Sequence, residues 1–151
     1  MSSHRMRYKS ALLPPEKVLE FWPKITGHIQ QGLTQFAVEM SPFDVFKLAI
    51  NGDLHIWVTT DESSNIASVL CTKIEHYPQR KILTILCVAG SIKDFPSWLS
   101  EHAILESFAR DFNCSAIRFY GRKGWAKRLA RYRSDSGNQY LPQQQIFEME
   151  V

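Results

Sequence analysis

The chain lacks most features that would settle its class quickly. No apolar run among its 151 residues approaches the ~20 that a membrane-crossing helix needs, so no membrane role is expected. Cysteine is scarce. Cys71, Cys87 and Cys114 stand in apolar strand-like stretches or at a strand start, an odd number without zinc spacing, which argues against a disulfide scaffold and reads as reduced core thiols. The five histidines (His4, His28, His55, His76 and His102) include no i, i+4 pair, so no metal site is expected. There is no repeat, no low-complexity stretch and no inter-domain linker. The basic start, Met1 to Lys9, is not followed by an apolar signal core, because Pro14-Pro15 interrupts it. Secretion through a signal peptide is therefore not expected.

What is present is an ordinary globular composition, 44% hydrophobic and 22% charged, at the length of one domain. A single domain over 1–151 is the expectation, with 1–13 as an N-terminal extension. Aromatic residues reach 12%, which favours a packed mixed fold over a plain helical bundle. The net charge is only +3, but it is unevenly distributed. Between Arg118 and Arg133 there are seven bases (Arg118, Arg122, Lys123, Lys127, Arg128, Arg131 and Arg133) and no acid, leaving 11 bases against 15 acids elsewhere. One short element thus holds the positive charge, which suits an anion, a nucleic acid or an acidic partner, and equally suits a solvated helix face.

The pattern of elements runs helix, helix, three strands, helix, strand, short helix, strand. Pro14-Pro15-Glu16 opens the first helical stretch, and Pro23 is expected to kink or divide it, with a second segment over His28 to Phe36 after Gly27. Ser41-Pro42-Phe43-Asp44 is a helix entry with Ser as N-cap and an acid in the first turn; Asn51-Gly52-Asp53 ends that helix. Leu54 to Thr59, Ile66 to His76 and Lys81 to Ala89 read as an antiparallel meander. Pro96 to Phe112 is a helix that crosses over to a strand at Ala116 to Tyr120, parallel to Lys81 to Ala89. Trp125 to Tyr132 follows as a basic helix, anchored by Trp125 and Leu129, and Leu141 to Val151 closes as a strand. The fold class is α+β (mixed α/β), a mostly antiparallel central sheet flanked by helices.

This order resembles the Gcn5-related N-acetyltransferase (GNAT) fold over roughly Leu54 to Val151. Four motifs, Trp22-Pro23, Leu54 to Val58, Tyr77 to Arg80 and Gly121 to Trp125, further resemble short acetyltransferase-like proteins of tailed phages, some of the internal virion or assembly type. The resemblance implies that the strands Lys81 to Ala89 and Ala116 to Tyr120 splay apart near Val88 to make a cofactor cleft, and it implies acetyl-CoA as cofactor, held at a glycine-rich loop after the fourth strand, where Val88, Gly90 and Ser91 fall. That loop, Val88 to Pro96, has one glycine where the family has two, with Asp94 and Phe95 where a diphosphate would approach, so weak or absent acetyl-CoA binding is the expectation.

Glu75 and His76, at a hairpin end, are candidate catalytic residues, with Glu75 as a base through water on an amine; two polar hairpin residues are the plainer alternative. Cys87 could act as a nucleophile only if the fold brought His76 or His102 to it. Arg122, Lys123, Lys127 and Arg131 are the candidate interaction surface. Three readings follow: a non-catalytic acetyltransferase-like phage protein in the host cytoplasm or the virion, partnered by other phage structural or assembly proteins; an active acyl-CoA-dependent N-acyltransferase; and a nucleic-acid-binding module using the basic 118–133 segment. The altered loop favours the first.

Overall fold

A computed structural model gives the architecture. It describes residues 7–36, 39–90, 95–120, 130–131, 133, 137–143 and 147–151. The chain divides into two compact units, Met1–Tyr120 and Gly121–Val151.

In the first unit, β1 (Lys9–Leu13) leads through a 3-10 turn (Pro15–Lys17) into α1 (Val18–Phe36) and α2 (Pro42–Ile50). The meander β2 (His55–Thr60), β3 (Ile66–His76) and β4 (Lys81–Gly90) follows, then α3 (Phe95–Asp111) and β5 (Ala116–Phe119). The sheet order is β1-β2-β3-β4-β5, antiparallel except for the parallel β4–β5 pair. The meander and the parallel crossover thus form as their sequence patterns require. Residues 9–13, expected within an N-terminal extension, instead make an edge strand, registered on β2 from Lys9↔Thr60 to Leu13↔Ile56.

The two sheet faces have separate cores. Val69 and Cys71 of β3 and Cys87 of β4 pack with Ile25, Ile29 and Leu33 of α1 and Val45 and Ala49 of α2. Trp57, Leu70 and Ile85 pack on the other face with Leu105 and Phe108 of α3. The Trp57 and Phe108 rings meet edge-on at 5.1 Å, and the buried Trp57 indole N–H donates to Thr72 Oγ1 at 3.0 Å.

Helix ends follow their local chemistry. Ser41 Oγ accepts from the Asp44 N–H at 3.2 Å while Asp44 Oδ2 accepts from the Ser41 N–H at 2.9 Å, a reciprocal cap that, with the neighbouring hydroxyl and Lys47, lowers the Asp44 pKa. Gly52 at φ 78° and Asn113 at φ 60° end α2 and α3 in the left-handed region, and the Cys114 N–H reaches back to Ala109 O.

Pro23 does not divide the first helix, contrary to the sequence expectation. It lies inside a continuous α1, because Val18, Ile25, Ile29 and Leu33 keep one apolar stripe buried along its length. Gly32 on that helix has a packing reason. A Cβ there would stand 2.2 Å from Cys87 Sγ and 3.2 Å from Ala89 Cβ, so α1 lies directly on β4. Gly32→Ala should cost about 2 kcal/mol by overpacking. Gly27→Ala has nothing within 4 Å and should gain up to about 1 kcal/mol of helix propensity. Urea midpoints of the two variants should therefore move in opposite directions; equal midpoints would remove this account of the α1–β4 contact.

The second unit carries no strand among its described residues. Residues 141–143 and 147–151 are irregular, and Leu141, Phe147, Met149 and Val151 are exposed. The alternation that suggests a closing strand is real, but it finds no paired edge there.

Candidate functional site at the end of the parallel strand pair

The β4–β5 ladder is short. It runs from Ile82↔Ala116 to Ile85↔Phe119 and stops, while β4 continues to Gly90. Leu86–Gly90 therefore have no ladder partner on that side among the described residues; the expected splay near Val88 would involve residues beyond Tyr120, which lie outside the described residues. The end of the ladder carries a bulge. Cys71 pairs with Cys87 but Thr72 pairs with Ile85, so Leu86 is an extra residue on β4. Strict alternation would send Leu86 and Cys87 to opposite faces. With the bulge both pack on the α1 side, while Ile85 and Val88 turn to the α3 side.

Gly90 and Val88 are two of the candidate cofactor residues. Gly90 has φ 140°, and a Cβ there would stand 2.2 Å from Ala67 O and 2.5 Å from Ser68 Cα. The approach of β3 backbone alone requires glycine at this position. Val88 lines a cavity of about 30 Å³ on the α3 side, with Ser10, Thr59, Ser68 and His102 as its polar walls. Ser10, Thr59 and Ser68 are direct neighbours across β1, β2 and β3. His102 is buried, 3.9 Å from Glu106 Oε1, and burial pushes its pKa down to about 4. Ser91, the third cofactor candidate, and Asp94 lie outside the described residues.

Glu75 and His76 end β3. His76 is exposed. Glu75 is part-buried and accepts a 2.6 Å hydrogen bond from Tyr77 Oη. Burial raises the Glu75 pKa, but the Thr84 and Tyr77 hydroxyls and the charges of Arg118 and Lys73 outweigh it, and the net direction is down. A general base needs the opposite shift. The Glu75 contact in turn raises the Tyr77 pKa. The Arg118 guanidinium lies 5.7 Å over the Tyr77 ring. Thr84 Oγ1 is buried with no partner in hydrogen-bonding geometry, although Glu75 lies near enough to feel it. Thr84 carries no sequence signal of its own as a site residue, and Arg118 stands out only as the first base of the 118–133 run. Only the register of β3, β4 and β5 brings them together.

Cys87 is buried on the α1 face, His102 belongs to α3 on the other face, and His76 ends β3 in solvent, so no thiol–imidazole pair forms among them. Of the candidate interaction surface, Arg131 is exposed. Arg122, Lys123 and Lys127, with the proposed anchors Trp125 and Leu129, lie outside the described residues. Among the described residues no group of three His, Cys, Asp or Glu could hold a metal, and no helix is long and apolar enough to cross a membrane.

No family profile matches the chain, and no curated protein matches it in sequence. Solved structures do. An aminoglycoside acetyltransferase from an uncultured soil metagenomic sample, in complex with sisomicin, superposes with a TM-score of 0.66 at 14% identity, over 95% of both chains. An aminoglycoside N-acetyltransferase in complex with CoA gives 0.65 at 7% identity over 99% of both chains. A GNAT family acetyltransferase of Staphylococcus aureus gives 0.61 at 12% identity, over 96% of this chain and 99% of that one. With its meander, its parallel β4–β5 pair and its two helical layers, the chain has the fold of the GNAT acetyltransferases.

Proposed function

We propose that the chain is an acyl-CoA-dependent N-acyltransferase, binding its cofactor along the open edge of β4. The carrying observation is the early end of the β4–β5 ladder at Ile85 and Phe119, beside the Leu86 bulge. Beyond it, backbone N–H and C=O groups of Leu86–Gly90 face a side that no described strand uses. An extended arm bearing amides could take up those groups. In this reading Val88 and Gly90 would line that arm, and bound acyl-CoA would supply the activated acyl group. That one structure of this fold is a complex with CoA supports a CoA-dependent reading.

A second reading is a non-catalytic acetyltransferase-like component that assembles with other phage proteins in the host cytoplasm or the virion. Two observations favour it. The single glycine of the loop is already required by the backbone contact with β3. The Glu75 carboxyl is shifted away from the range of a base. In that reading the basic segment with Arg122, Lys123, Lys127 and Arg131 meets the partner, or a nucleic acid.

Calorimetric titration of the full chain with acetyl-CoA separates the two. The acyltransferase reading expects a dissociation constant of about 10 µM or tighter. It also expects release of free CoA thiol when a pool of primary amines is added. No heat and no thiol release would leave the assembly reading standing.

A further inference from the structure

The α1-side face of the sheet, below the bulge, carries a group of polar residues that fold stability does not explain. Lys73, Thr84 and Arg118 are direct neighbours across β3, β4 and β5, through the pairs Lys73↔Thr84 and Thr84↔Arg118. Directly opposed residues share a face, so two cations flank one hydroxyl. Adjacent strands lie ~4.8 Å apart, so the Lys73 and Arg118 backbones stand about 10 Å apart with Thr84 between them, close enough for two long side chains to reach one carboxylate. Among the described residues neither Lys73 nor Arg118 forms an ion pair. Thr84 is fully buried, and its hydroxyl has no partner in hydrogen-bonding geometry, although it stands near enough to Glu75 to favour the ionised carboxylate. A buried hydroxyl without a partner is disfavoured, and such a group is often completed by a ligand or a water.

Two residues further along β3, on the same face, stands Glu75, held by Tyr77 Oη. Lys73, Glu75 and Arg118 are all partly exposed, and Tyr77 and Tyr120 are 42% and 41% exposed, so every member of the group except the buried Thr84 is open to solvent. The neighbouring Tyr120 hydroxyl favours the charged form of Arg118 and raises its pKa further. The remaining bases of this corner are already engaged. Arg80 Nε donates to Ser115 Oγ at 3.3 Å, and Lys81 Nζ donates to Phe112 O at 2.7 Å. The functions left for a ligand are therefore an anion seat, Lys73–Thr84–Arg118, and beside it a carboxylate.

We infer that this face binds a small zwitterion, an α-amino acid, with its carboxylate between Lys73, Thr84 and Arg118 and its ammonium at Glu75. A simple anion would be repelled by Glu75, and a simple amine by the two cations. A molecule carrying both charges on neighbouring atoms satisfies all four residues. As the acyl acceptor, this ligand rests on the acyltransferase reading above; as a bound ligand, it does not.

The test uses the full chain and saturation-transfer NMR, with single free L-amino acids as probes and the same amino acids as C-terminal amides or N-acetyl derivatives. At least one free amino acid should bind with a dissociation constant of about 1 mM or tighter. Its amide and its N-acetyl derivative should each bind about tenfold more weakly, a difference of one decade in affinity. Arg118→Gln should abolish the preference for the free acid over the amide, and Glu75→Gln the preference over the N-acetyl form. Both are part-exposed and should leave the circular dichroism spectrum unchanged. Thr84→Val should weaken the acid if the hydroxyl faces the ligand. Unchanged binding in a folded Thr84→Val variant would reduce that hydroxyl to a neighbour of Glu75 and overturn its place in the seat. No saturable binding of any free amino acid, or equal binding of acid and amide, overturns the inference altogether. Acetyl-CoA titrated into the same sample keeps the two ideas apart. Amino-acid binding without acetyl-CoA binding sinks the acyltransferase reading alone, and the reverse sinks only this one.

Discussion

Gly90→Ala is expected to lower the stability of the first unit by about 4 kcal/mol, the sum of a strained backbone and an overpacked contact. The residue sits at φ 140°, outside the range L side chains favour, and its new methyl would meet Ala67 O at 2.2 Å and Ser68 Cα at 2.5 Å. Both are backbone atoms of β3, so relief requires moving a strand rather than rotating a side chain. Gly52 provides the control. It also has a positive φ, 78°, but nothing lies within 4 Å of its would-be Cβ. Gly52→Ala should therefore cost only about 1–2 kcal/mol. Urea denaturation of both variants decides the point. A Gly90→Ala loss no larger than that of Gly52→Ala would mean that β3 does not press on this residue. Glycine at 90 would then need a ligand to explain it.

Acid should weaken the protein well before its carboxylates titrate. The His102 pKa is depressed by burial from 6.5 to about 4. The folded state therefore keeps a neutral imidazole that the unfolded chain would protonate below pH 6.5. Stability contributed by this group is fully present above that value, and it falls as pH drops through the window from 6.5 to about 4. The full loss is about 3 kcal/mol, because each pH unit across that window removes about 1.4 kcal/mol. Glu106, 3.9 Å away, would recover part of this once the ring is charged. Asp44 and Glu75, whose pKa values are lowered, act in the same sense but in a lower window, below the ordinary carboxylate range. Urea midpoints measured between pH 7.5 and 4.5 should decline in the wild type and clearly less in His102→Gln, where His55, whose pKa burial also lowers, keeps part of the slope. Parallel declines in the two proteins would assign the acid sensitivity to other groups.

The sheet is largely legible in the sequence because its signals are local. Ile66–His76 follows from a β-rich run between two turn clusters, and the Asp61 carboxylate duly caps its turn by accepting from the Ser63 and Asn65 N–H groups at 2.9 and 3.0 Å. The reciprocal cap of α2 is visible in Ser41-Pro42-Phe43-Asp44 for the same reason. What stays hidden depends on partners distant in sequence. Lys9–Leu13 has no strong pattern of its own and becomes a strand because β2 offers an edge. Pro23 looks like a break because a local rule cannot weigh a stripe of buried residues running from Val18 to Leu33. The site is less legible still. Glu75 stands out as a carboxylate at a hairpin end, but its setting comes from Thr84 and Arg118, which are 9 and 43 positions away. Gly90 stands out as a place for a phosphate, whereas the contact that demands it comes from β3.

The extra residue at Leu86 also fixes the strand register. A long regular hairpin such as β3–β4 can zip in registers two residues apart, since each such slip keeps every side chain on its proper face. With the bulge in place, only one alignment seats both Leu86 and Cys87 against α1 while Ile85 and Val88 meet α3. A slipped hairpin would put that doubled step opposite the wrong pair and leave the thiols of Cys71 and Cys87 out of line. The irregularity in the β3–β4 ladder therefore also ties strand alignment to the packing of both helical layers, so a slipped hairpin would forfeit both cores at once.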